Sequence, residues 1–317
     1  MEASPSPQQS NVTSYGAITV AIITLEVFAG MWINAFIVGV LCIGWVKKKT
    51  LNSNEKILLL LGCSRFWYLC FSWMDVFLSI IFSYCLLIHP IFQLLQGSYS
   101  FFNCSNLWGS ACLCSFYCIK IANFRNRFFI YLKVKIDRMV PWLLLGSVVL
   151  SLIIGILVYN TIDKAVGKNL NFTCQESLQK ATIGIEEHFF PLYFFTGFLY
   201  TTSFIAVIFS AVLLLFSLWR HKHKMQTNST SSLSMEAHIR AMKSIFSFFI
   251  MYSINFMFLI LTLIYSLKHQ NHVIFLGYLI QHAFPGVHSL ILIFSNPKLE
   301  KALLRILSWV KCKFCMR

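Results

Sequence analysis

Seven runs of mostly apolar residues dominate this chain, at roughly 17–46, 57–88, 99–122, 139–160, 188–218, 241–267 and 272–296. About 20 consecutive apolar residues suffice for a helix to cross a bilayer, so each run is long enough to span one. The expected fold is an all-α membrane protein, a seven-transmembrane helix bundle. The third run is the least apolar, because Asn103, Ser105 and Asn106 dilute its start. Charge content excludes a soluble globule: 12% of the residues are charged, against about 25% in soluble domains. The net charge of +15 could suit nucleic acid, but its distribution along the chain points to a membrane surface.

Basic residues set the expected orientation. Clusters follow the first, third, fifth and seventh runs, and together they hold 21 of the 26 Lys and Arg residues. The opposite side holds Lys164, Lys168, Lys180 and Lys268. The positive-inside rule then places the C-terminus in the cytoplasm, and an odd number of spans places the N-terminus outside. Sequons agree: Asn11 and Asn171 fall on the outer side as glycosylation candidates, whereas Asn228 falls inside and is expected to stay bare. Residues 1–16 are polar, with no basic n-region or cleavage site. The first run is therefore expected to remain as a signal anchor.

Three segments result: an extracellular N-terminus (1–16), the seven-helix domain (17–296) and a cytoplasmic tail (297–317). In the tail Leu299, Leu303, Ile306 and Val310 recur at helical spacing among Lys298, Lys301 and Arg305. This pattern predicts a short amphipathic helix on the inner leaflet, in contact with membrane lipid. Cys312 and Cys315 follow it at the membrane surface and are candidates for acylation. Most of the other cysteines sit inside apolar runs, where Cys behaves as a small hydrophobe.

Ionisable groups inside spans are costly and mark sites worth a hypothesis. Glu26, Arg65 and Asp75 are such groups, and Asn34, His282 and His288 are polar companions. One network of Asn34, Arg65, His288 and Ser289 would join helices one, two and seven, either as static glue or as a switch. For Arg65 the expected acceptors are Asn34, Ser289 and backbone carbonyls. No His spacing, and no carboxylate beside a His in a span, suggests a metal site, and no nucleophile motif or phosphate-binding loop is present. No metal, cofactor or catalysis is expected.

The residue blocks also resemble a known family, the bitter taste receptors (taste receptor type 2) among the G-protein-coupled receptors. Glu26-x-Phe28-x-Gly30-x3-Asn34-x-Phe36-Ile37 in the first span and Leu61-Gly-Cys-Ser64-Arg65 in the second are similar to family patterns. In the third, Asn106-Leu-Trp108 leads into Phe116-Tyr117-Cys-Ile-Lys120-Ile-Ala-Asn-Phe124. Phe216-Ser-Leu-Trp219-Arg-His221, Ala237-His238-Ile239-Arg-Ala241-Met-Lys243 and Pro285-x-x-His288-Ser289 continue the match in order. Ser203-Phe204 stands where the family often has Pro-Phe, and Gly286 where it usually has Ser.

The resemblance implies a receptor for a small bitter compound that activates gustducin or another inhibitory-type α subunit. By its residue matches it implies a ligand site at Trp108, Cys112, Tyr252, Asn255 and Tyr278, and a G-protein face at Tyr117, Lys120, Arg125, His221, His238 and Lys243. It also argues against a disulfide between Cys104 and Cys174. A pheromone receptor of vomeronasal type 1 shares the outline. A small-molecule transporter is the alternative from another class, although no repeat or matched broken helices are visible.

Overall fold

The computed structural model describes residues 7–81, 90–122, 126–167, 195–220, 232–266 and 271–315, at some helix ends as backbone alone. These residues form eight helices and no strand: α1 (Pro7–Lys48), α2 (Ser53–Ile81), α3 (Ile91–Ile121), α4 (Arg127–Gly167), α5 (Phe195–Arg220), α6 (Ser232–Ser266), α7 (Asn271–Ser295) and α8 (Pro297–Cys315). Seven build the bundle and the eighth follows it, as the apolar runs predict. Helices satisfy their backbone groups internally, which hydrocarbon requires.

Several helices overrun the apolar runs, because span length follows bilayer thickness while the helix itself continues into the interface. Thus α1 begins at Pro7, inside the segment read as an extracellular N-terminus, and α4 begins at Arg127 rather than near 139. Local signals fix several ends. Lys49 adopts φ 54° and closes α1 through its N–H to the Trp45 carbonyl at 2.7 Å. At the start of α2, Glu55 Oε2 reaches back to accept the Asn52 N–H at 3.1 Å, half of a capping box. Asn296 Oδ1 accepts the Lys298 N–H at 3.0 Å just before Pro297 opens α8.

Burial is arranged for lipid rather than water. Trp32, Val134 and Trp142 are each about three-quarters exposed on outward faces, while Asn34, Arg65, Ser110 and Ser289 are fully buried. Five helices are long and apolar enough to cross a membrane by themselves: α1, α2, α4, α5 and α7. In α6 the described stretch Ile245–Leu261 is apolar but shorter. The outlier is α3, and its polar residues explain why: Gln93, Asn103, Ser105, Asn106 and Ser110 are buried against neighbouring helices. A central helix shielded by others does not have to be apolar.

The α1–α7 contact is close. A Cβ added to Gly286 would lie 3.2 Å from the Gly30 Cα. Gly at the usual Ser position therefore lets two helix backbones meet beside Asn34 and Ser289. At the basic end, one apolar cluster unites Leu41, Leu58, Phe116, Val140, Leu292 and Leu299 from α1, α2, α3, α4, α7 and α8. Through Leu299 the amphipathic helix docks on the bundle, and Lys298 binds Glu55 of α2. Leu304, Leu307 and Trp309 of α8 stay exposed.

Candidate functional site

Arg65 lies on the inward face of α2 and is fully buried. A guanidinium there costs about 2.5–3.5 kcal/mol on insertion scales unless its donors are met. The bundle meets four of the five N–H groups with neutral partners. Nε donates to Asn106 Oδ1 at 2.9 Å, Nη1 to Ser289 Oγ at 2.9 Å and Nη2 to Ser110 Oγ at 3.2 Å. Nη2 also contacts His288 Nδ1 at 2.5 Å. A guanidinium has no acceptor, so His288 Nδ1 accepts and the ring proton sits on Nε2. Ser289 passes the chain onward, donating to Asn34 Oδ1 at 2.8 Å, while Asn34 Nδ2 donates to the Gly30 carbonyl at 2.8 Å.

The four residues expected in this network therefore meet, with two corrections. Asn34 does not accept from Arg65; it is reached through Ser289, because Arg65 spends Nε on α3 instead. The network also joins four helices rather than three, since Asn106 and Ser110 of α3 complete it. Their one-turn spacing puts both on the face toward α2, a signal available in the sequence. A neighbouring bond, Ser64 Oγ to Ser105 Oγ at 2.9 Å, reinforces the α2–α3 seam. His282, a companion in the reading above, is held separately. Its Nδ1 donates to the Tyr278 carbonyl at 2.6 Å, so its Nε2 accepts from Ser72 Oγ, also at 2.6 Å.

Away from the basic end, the expected ligand residues are spread over more than one surface. Trp108 packs beside Cys104, Ile154, Val158 and Leu199, between α3, α4 and α5. Its indole Nε1 is buried without a hydrogen-bond partner among the described residues. Tyr252 belongs to a different cluster, with Leu107, Ala111, Cys114, Val207 and Phe284, and its ring stacks with Phe204 at 6.1 Å. Asn255, one turn along α6, is buried, Cys112 is half-buried and Tyr278 is exposed. Trp108 and Tyr252 are thus divided between two faces of α3 rather than lining one packed wall. Through Ser203-Phe204, where the family often has Pro-Phe, α5 continues as an unbroken helix.

At the basic end Tyr117 is half-buried, and Lys120 pairs with Asp137 of α4 at 2.5 Å. His238 and Lys243 fall on the first turns of α6, Asn11 on the first turns of α1, and Cys312 and Cys315 at the end of α8, in each case with the backbone alone described. Arg125, His221, Asn171, Asn228 and Cys174 lie outside the described residues. Cys104 is buried against α4.

Seven membrane helices around a buried hydrogen-bonded core, with an amphipathic eighth helix docked at one end, have the architecture of a seven-helix receptor. The comparisons with known proteins make this specific. The family model described as "Taste receptor protein (TAS2R)" matches residues 12–311, and the chain belongs to that family. It is 33% identical over 302 residues to taste receptor type 2 member 9 of Macaca mulatta, covering 93% of this chain and 94% of the relative. Against member 9 of Homo sapiens it is 33% identical over 304 residues, covering 93% and 95%. Against member 2 of Homo sapiens it is 30% identical over 299 residues, covering 93% and 97%. The protein is a multi-pass membrane receptor and not an enzyme.

Proposed function

We propose that this receptor binds small bitter compounds at the extracellular side of the plasma membrane and activates gustducin or a related inhibitory-type G protein inside. Membership of the taste receptor family over residues 12–311 carries the reading. The basic end, α8 included, faces the cytoplasm by the positive-inside rule, which leaves Trp108, Cys112, Tyr252, Asn255 and Tyr278 toward the outside. There Trp108 Nε1 is a buried donor without a partner among the described residues. Buried polar groups in native proteins are nearly always satisfied, so this donor fits a ligand acceptor. The Arg65 cluster is the candidate two-state element. It ties α7 to α1, α2 and α3 through Ser289 and His288, so any shift of α7 must remake those bonds. Agonist must favour one arrangement over the other to transmit anything.

The test is a calcium readout in cells co-expressing a promiscuous G protein, screened against a panel of bitter compounds. A saturable response is expected, and Trp108→Ala at normal surface level should raise the half-maximal concentration at least tenfold. Unchanged potency in that variant would remove Trp108 from the ligand site. The pheromone-receptor and transporter alternatives have no matching observation, since the family match and the relatives named above are taste receptors.

A further inference from the structure

We propose that the interior of the bundle just outside the Arg65 cluster is a ligand site ringed by Tyr68, Tyr99, Tyr200 and Tyr278, and that it takes uncharged compounds carrying carbonyl-type oxygens. The inference rests on the receptor reading above and deepens it by naming the ligand chemistry.

Helical spacing brings the ring to one place. On α3, Tyr99, Asn103, Asn106 and Ser110 follow one another at intervals of four, three and four residues. Tyr99 and Asn103 therefore share the face whose inner part binds Arg65. Tyr68 stands one turn outward of Arg65 on α2, and Tyr278 three turns outward of Ser289 on α7. The contacts agree. The Tyr68 and Tyr99 rings lie 5.3 Å apart, and their hydroxyls bond one another. Asn103 Nδ2 donates to the Tyr200 hydroxyl at 2.9 Å. Tyr200 interacts electrostatically with Tyr68, and Tyr278 with both Tyr68 and Tyr99. Side chains of α2, α3, α5 and α7 thus approach each other across the interior. Tyr68 and Asn103 are buried, whereas Tyr99 and Tyr200 keep accessible surface, as side chains bordering an open space do.

Proton counting sets the chemistry. The Tyr200 oxygen accepts from Asn103, so its own O–H is left to donate. In the Tyr68–Tyr99 bond one hydroxyl donates and the other keeps its proton. Two O–H donors therefore face the interior without an acceptor among the described residues. No charged side chain of α2, α3, α5 or α7 stands level with them. Arg65 is spent on Asn106, Ser110, Ser289 and His288. Asp75, two turns outward of Tyr68, accepts from Gln96 at 2.7 Å. A carboxylate ligand would lose its hydration here and gain no counter-ion. An ammonium could rest on the tyrosine faces, but it would add donors where acceptors are short. A carbonyl oxygen on a flat apolar body meets both demands, since it accepts the O–H groups and lies against the rings.

The experiment follows calcium responses of the full-length receptor, co-expressed with a promiscuous G protein, to three series of bicyclic compounds of matched size. The neutral series is built on coumarin and chromone, the cationic on N-methylquinolinium and the anionic on naphthoate. The neutral series should activate at lower concentration than either charged series. Tyr200→Phe and Tyr99→Phe keep the rings and each remove one hydroxyl. At normal surface level each should raise the half-maximal concentration of the neutral compounds about two- to tenfold. Exchanging the carbonyl for a methylene should weaken a neutral compound by a similar factor in wild type and by much less in the variants. A carbonyl effect that persists in full in both variants marks their shifts as structural and overturns the site. Greater potency of either charged series overturns the ligand class. If no series activates while other bitter compounds do, the receptor reading stands and this proposal falls. If no bitter compound evokes a response, the receptor reading fails and the site with it.

Discussion

Replacing Arg65 with Lys separates charge from geometry at the centre of the bundle. Lys keeps the positive charge but has one nitrogen instead of the planar fork. Arg65 serves four groups on two helices: Asn106, Ser110, Ser289 and His288. An ammonium on a flexible stem reaches about two of them at once, so two buried acceptors lose their donor. At roughly 1–2 kcal/mol each, the variant loses about 2–4 kcal/mol from the arrangement seen here. Since 1.4 kcal/mol is a factor of ten, that is a shift of about 30- to 1,000-fold between states. The assay is surface labelling of an N-terminal epitope together with the agonist concentration–response per surface receptor. The expected outcome is reduced surface level and, for the receptors that arrive, altered basal activity or efficacy. Normal surface level with wild-type potency and efficacy would refute the reasoning, because it would show that the bonds to α7 and α3 hold nothing that signalling uses.

Asn106→Ala leaves the Nε donor of Arg65 unmet and should lower the midpoint of thermal unfolding of the purified receptor more than Ser110→Ala, whose 3.2 Å bond shares Nη2 with His288; equal midpoints would count against the assignment. Gly286→Ala places a Cβ 3.2 Å from the Gly30 backbone, so α1 and α7 must separate and the Ser289–Asn34 bond lengthens. Overpacking of this kind costs about 1–3 kcal/mol, and an unchanged unfolding midpoint would contradict the close contact. Enzymatic removal of glycans should shift the gel band of the wild type and shift Asn171→Gln less, while glycan found at Asn228 would overturn the orientation. Acyl-exchange labelling should fall in the Cys312→Ser/Cys315→Ser variant; labelling identical to wild type would remove acylation from the tail.

Much of the architecture was legible in the sequence because hydropathy and charge act over whole helices. Seven apolar runs became seven helices, and the helical spacing of Leu299 and Leu303 foretold an amphipathic α8, although these two residues pack on the bundle rather than on lipid. Boundaries were less legible, as α1 and α4 show: hydrophobicity marks the lipid slab, whereas caps such as Asn296 and Glu55 mark the helix. In the polar core, Asn34, Arg65, His288 and Ser289 were legible as expensive groups in need of partners. Asn106 and Ser110 were overlooked for a specific reason. Polar residues in the third run were counted as a weakness of the span, although a buried helix carrying them is where the donors of Arg65 must go. Backbone carbonyls were expected to take the remaining N–H groups of Arg65, whereas side chains of α3 and α7 take them. The ligand residues were harder still, because resemblance supplies positions on helices and not the rotation that puts Trp108 against α4 and Tyr252 against α5 and α7.

The most direct test of the receptor reading uses purified protein. Full-length receptor in nanodiscs, mixed with a purified inhibitory-type heterotrimer, is exposed to bitter compounds one at a time while nucleotide exchange on the α subunit is followed. At least one compound should accelerate exchange severalfold in a saturable way, and Trp108→Ala should move its half-maximal concentration upward. Exchange that never rises above the receptor-free rate, together with accumulation of a labelled compound inside proteoliposomes containing the same protein, would contradict a receptor and identify a transporter.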